Sequence, residues 1–134
     1  MRSAPAMPVL SRLMARLRPP AALRRHHRVW QVALQDGRLS VTDPAGRQHA
    51  LDLARLSRVL VEAEASGPLG ADCWWQFFDA EGRLALRYPQ GAAGESGVID
   101  WLLALPGFDH GGMLAAMGAT RPGVFAVWDR DGSG

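Results

Sequence analysis

The chain has no lysine: all fifteen of its positive side chains are arginines. With its abundant alanine and glycine, this usage reads as GC-rich coding rather than as selection for guanidinium chemistry. Cysteine occurs once, as Cys73, which excludes an intramolecular disulfide and a zinc site of several thiolates. A lone thiol fits a reducing compartment, and the expected location is the cytoplasm. No apolar run approaches the roughly 20 residues needed to cross a bilayer. The four histidines, His26, His27, His49 and His110, fall in no HExxH-like or CxxC-based arrangement. A hydrolase needs a nucleophile, an activating base and a group that orients the base. Cys73 offers no such start, because it sits among aromatics where a thiol behaves as a small hydrophobe. No metal and no cofactor is expected.

What is present is unevenly distributed. Residues 1–28 hold seven arginines and no acid, leaving eight arginines against all thirteen acids from Val29 onward. The net charge of +2 therefore joins a basic tail to an acidic body. A nucleic-acid footprint must lie on the folded surface, so the high pI does not point to one. Within the tail, Leu10, Leu13, Met14 and Leu17 form one helical stripe, with Arg12, Arg16 and Arg18 off it. Pro19-Pro20 ends that pattern. Two readings follow: a leader without fixed structure, or an amphipathic anchor for a membrane surface or an acidic partner. The domain plan is a tail over 1–28, one globular domain over 29–130 and a disordered end over 131–134.

From Val29 the apolar period becomes two. "VWQVAL" and "RLSVTD" flank Asp36-Gly37, a hairpin dipeptide, with Trp30, Val32 and Leu34 as the core face. "DPAG" at Asp43 to Gly46 makes the next turn. "RQHALDL" and "SRVLVEAE" supply strands, because turns recur at meander spacing on both sides. "CWWQFFD" is the densest aromatic strand, with Trp75 and Phe77 on one face and Trp74 and Phe78 on the other. It is expected to be covered on both faces, one of them by a helix. "RLALRYP" follows, then a helix with Val98, Trp101, Leu102 and Leu105 on one face, a second helix, and a last strand in "VFAVWDR". The fold class is α+β: a curved antiparallel sheet or small partly open barrel of six to seven short strands. Two C-terminal helices pack on it, and the final strand comes after them.

The segment "WLLALPGFDHGGMLAAMG" sets Asp109 beside His110. Pro106 and Gly107 stop one helix, and Asp109 is placed to cap the next, with Phe108 and Met113 at hydrophobic-staple spacing. Met113, Leu114 and Met117 would form its buried stripe, and His110 its first, exposed residue. "QGAAGESG" resembles an anion-holding glycine loop but lacks the lysine and hydroxyl of a P-loop. Arg83 and Arg87, four apart in a strand, share a face that offers a modest anionic-partner patch. "DRDGSG" has the start of a calcium-loop spacing without its later ligands.

Two groups of motifs resemble known families. Pro89 to Ala92, Leu105 to Asp109, Ala116-Met117 and Trp128 to Arg130 resemble the shared motifs of a family of small uncharacterised bacterial proteins, a likeness that covers residues 29–130. It implies a bacterial, cytoplasmic setting. "DGRLSVTDPAGRQHALDLARLSRVLVEA" resembles the opening of bacterial pleckstrin-homology-like domains, implying a curved sheet used for binding. The expected function is a non-enzymatic module that binds another protein, with Phe108, Asp109, His110, Arg83 and Arg87 as the candidate surface. The alternatives are a membrane-peripheral module held by the tail, and a small hydrolase using Asp109 and His110.

Overall fold

Asp36 and Gly37 both take positive φ, 54° and 73°. A two-residue primed turn demands this backbone, because its twist matches that of the strands it joins. In the computed structural model, which describes residues 29–67 and 70–132, this turn pairs β1 (Gln31–Gln35) with β2 (Arg38–Thr42). The tail and its stripe lie outside the described residues.

Two further turns share one design. In Asp43 to Arg47, the Asp43 carboxylate accepts the amides of Ala45 and Arg47, both at 2.9 Å. In Asp79 to Arg83, the Asp79 carboxylate accepts those of Glu81 and Arg83, at 2.9 and 3.0 Å. Each aspartate thus mimics a turn of backbone, which is why Asp-x-x-Gly-Arg recurs where strands reverse. These bonds hold the Asp79 carboxyl below the usual carboxylate range, the Arg83 amide most of all. At the last strand, Asp129 repeats the motif, accepting from the Asp131 amide at 3.0 Å. "DRDGSG" is therefore turn chemistry as far as Gly132.

The strands form two antiparallel sheets. One has the order β1-β2-β3, with β3 at Gln48–Asp52. The other has the order β6-β5-β4-β7, built from β4 (Arg58–Gly67), β5 (Gly70–Phe78), β6 (Leu84–Pro89) and β7 (Gly123–Asp129). Two helices, α1 (Glu95–Leu103) and α2 (His110–Met117), separate β6 from β7. The α+β class, the two helices and the late strand are as expected. The sheet is open: two sheets share one core without closing into a barrel.

That core takes one face of every strand. Leu39, Val41 and Leu51 come from the small sheet. Val59, Val61, Trp75, Phe77, Leu86 and Tyr88 come from the large one, and Val98, Leu102 and Ala116 from the helices. Phe77 and Tyr88 stack with centroids 5.8 Å apart. At about 25 cal/mol per Å² of apolar surface removed from water, these aromatics dominate the burial term. Trp75 Nε1 and Tyr88 OH are buried with no hydrogen-bond partner among the described residues. Burial pushes the Tyr88 phenol up, and the nearby Glu95 adds to the shift.

α2 differs from the expectation. Its buried residue is Ala116, and Leu114 is 65% exposed. The sequence HGGMLAAM has almost no polar contrast around the helix, so no stripe singles out the inward side.

The ends of the chain's late motifs are fasteners. Arg130 Nε donates to Leu56 O at 2.7 Å, and its terminal nitrogen donates to Leu53 O and Ala54 O at 3.1 and 3.2 Å. One guanidinium thus holds the short 3₁₀ turn Leu53–Arg55 against the end of β7. Lysine has no planar fork to serve three carbonyls in this way. We expect Arg130→Ala to lower stability by about 1–3 kcal/mol and Arg130→Lys to recover only part of it, as measured by chemical denaturation.

Candidate functional site

The corner between the helices is built from backbone needs. Gly107 turns with φ 85°, and Asp109 then enters extended at φ −91°. Its Oδ1 accepts the Gly112 amide at 2.8 Å, satisfying one of the free donors at the helix start. Its own amide donates to Val127 O at 2.7 Å, joining the cap to β7. A side chain on Gly112 would place Cβ 2.9 Å from Asp109 Oδ2, so a larger residue there would have to displace the cap's second oxygen. His110 leads the helix, exposed, with Nε2 3.3 Å from Leu103 O. Its ring meets Phe108 edge-on, with centroids 5.1 Å apart.

The expected surface is thus divided. Asp109 and His110 are exposed, whereas Phe108 is buried in the core, 7% exposed, and presents nothing to a partner. Trp128 Nε1 donates to Pro106 O at 3.0 Å, so the segments Leu105 to Asp109 and Trp128 to Arg130 meet at this corner through a structural contact. Asp109 spends its carboxylate on α2, which is the work of a cap.

The strict alternation that put Arg83 and Arg87 on one strand face does not hold. Arg83 closes the Asp79 turn with its amide, before β6 begins. The register of β5 and β6 then shifts between Phe77 and Phe78, so Leu86 faces the core opposite Phe77 while Leu84 stands opposite Phe78. Strict alternation fails there. Arg87 lies with its guanidinium 4.2 Å from the Trp74 ring centroid, a cation–π contact.

The glycine loop is filled by the chain itself. Glu95 Oε1 accepts the Gly91 amide at 2.9 Å, placing a carboxylate where a bound anion would sit. Gly94 turns with φ 86° against β1, where a Cβ would lie 2.2 Å from Val32 O. Among the described residues, no three His, Cys, Asp or Glu side chains gather into a metal-binding group.

A different surface carries two of the large exposed hydrophobics, Leu84 and Val124. It is the face of the large sheet turned away from the core, which pairing resolves into rows across β6, β5, β4 and β7. Leu84, Phe78, Arg58 and Asp129 form one row. Arg87, Gln76, Leu60 and Ala126 form the next, and Pro89, Trp74, Glu62 and Val124 the third. Neither helix lies on this face, since the buried residues of both join the core. The expected helical cover of Trp74 and Phe78 is therefore corrected: both are half-buried, and Val124 and Leu84 are 59% and 48% exposed. The polar groups in these rows engage one another. Gln76 donates to Glu62 at 2.9 Å, Arg58 pairs with Asp129 at 3.3 Å, and Arg87 covers Trp74. Alternation in "CWWQFFD" marked both faces as apolar; what it lacked was the position of the helices.

Comparison with protein-family models, with curated proteins and with solved structures found no match.

Two outcomes test this account. Asp109→Ala should cost about 0.5–2 kcal/mol in thermal or chemical denaturation, while His110→Ala stays within about 0.5 kcal/mol. Burial raises the Glu95 carboxyl above its ordinary value, outweighing the Gly91 hydrogen bond that lowers it. Ionising Glu95 is therefore harder in the folded state. Its effect is absent below the unfolded carboxylate pKa and reduces stability as pH rises from there through the raised folded value. Wild type should thus lose stability relative to Glu95→Gln as pH rises above the ordinary glutamate value of about 4, in paired denaturation curves.

Proposed function

We propose that the protein is a binding module, without catalytic chemistry of its own, that takes another protein on the outer face of its large sheet. The observation that supports this most is the row pattern. Leu84, Phe78, Leu60 and Ala126 run diagonally across the rows, with Trp74 and Val124 on either side of Glu62 in the next row. Gln76 with Glu62 and Arg58 with Asp129 are already paired beside them. A sheet face of this kind gains by burying its aromatics and does not have to break new ion pairs to do so. The fitting partner is an amphipathic segment. Its apolar side would lie over Leu60 between Phe78 and Trp74, with basic groups toward Glu62 and Glu64, which share this face of β4. The setting we assign is the bacterial cytoplasm, which the resemblance of the shared motifs and the single cysteine both support. A curved sheet used for binding also agrees with the pleckstrin-like pattern of the early strands. No helix among the described residues is long and apolar enough to cross a membrane.

The test compares the full chain with single exposed-site variants in capture from source-cell extract, followed by titration of the captured partner. Val124→Glu and Leu84→Glu should weaken the partner's affinity by about tenfold or more, equivalent to about 1.4 kcal/mol. Leu114→Glu, on α2, should leave it unchanged. Undiminished binding by both face variants, or binding to anionic vesicles in place of any protein, would overturn the proposal.

A further inference from the structure

The described chain begins close to the edge of the outer face. Trp30, just ahead of β1, meets Trp74 edge-on with ring centroids 5.5 Å apart. Trp74 sits in the row that ends in Glu62 and Val124. Val29 and Trp30 therefore lie toward the end of that face where Glu62 and Glu64 are placed on β4. The five residues before Val29 are Arg24, Arg25, His26, His27 and Arg28.

We propose that Val9–Arg18 of this same chain docks on the outer face, covering in cis the surface that the partner uses; the inference rests on that reading of the face. Three observations support this occupant. The first is charge: residues 1–28 carry seven arginines and no acid, against a body with eight arginines and thirteen acids. The second is reach. Pro19 to Arg28 extend to at most about 36 Å, ample to bring the segment back over the sheet. A ten-residue helix is about 15 Å long, and four strands about 4.8 Å apart are roughly 14 Å across. The third is pattern. Leu10, Leu13, Met14 and Leu17 give the segment a single apolar stripe for the Leu60 and Phe78 rows, and its arginines lie off that stripe. Tethering makes the contact intramolecular, so a weak intrinsic affinity is sufficient to hold it.

The full chain with Ser11→Cys, carrying a nitroxide, provides the test. Cys73 is buried, 1% exposed, and so out of the reagent's reach. The label should remove about half or more of the signal from the Trp74 indole and the Leu60 and Val124 amides and spare Gln48 to Leu51 of β3, unchanged on about tenfold dilution. Adding Leu13→Glu with Leu17→Glu should restore the lost signal. Broadening no greater on the outer face than on β3 would overturn the proposal. So would broadening that fades on dilution, which marks a second copy, or broadening seen only with anionic vesicles, which marks a membrane. Should the label miss the face while Val124→Glu still abolishes partner binding, the cis contact fails and the binding reading stands. Label contact without any partner loss in Val124→Glu would mean the reverse.

Discussion

The return of β7 to the edge of β4 is the constraint on which the other contacts depend. The chain leaves the large sheet at Pro89, makes two helices, and comes back to pair along Val59 to Ala63. Everything placed in between is tied to that return. The Asp109 amide bonds to Val127, the Trp128 indole to Pro106, and Arg130 to the carbonyls before β4. Each tie is a single hydrogen bond or a small set, worth about 1 kcal/mol net. Together they set both helices over the core face of the sheet, so that neither helix covers the opposite face.

That division separates stability from function. The short motifs late in the chain meet where elements join: a cap, an indole bridge, a guanidinium clamp. They are chemically specific because buried backbone groups must be satisfied there. The binding surface we propose needs less specific chemistry, since it consists of alternate residues on a sheet whose other residues fill the core. A carboxylate beside an imidazole drew notice to the corner, whereas the sheet face, made of ordinary hydrophobes, carries the larger opportunity for contact.

Most of the local structure was legible from the residues. Asp36-Gly37 specifies its turn through backbone angles, and Asp109 specifies a helix start through an oxygen placed for free amides; both are short-range requirements. The α+β class followed from the change of period at Pro89. Three features were not legible, each for a non-local or low-contrast reason. Leu114 faces outward because HGGMLAAM gives no polar side to orient the helix. The alternation expected to align Arg83 with Arg87 fails because a register shift opposite Phe77 and Phe78 breaks the count of two. Trp74 and Phe78 lack a helical cover because no pattern within a strand states where a later helix will pack.

The central claim is that the outer sheet face binds and the helix corner only supports. Amide and indole chemical-shift mapping on the bound partner tests this directly, because it reads both surfaces in one experiment. The account predicts that shifts concentrate at Leu60, Trp74, Phe78 and Val124, with Asp109, His110 and Leu114 unmoved. Shifts concentrated at the Asp109-His110 corner, with the sheet face silent, would contradict it.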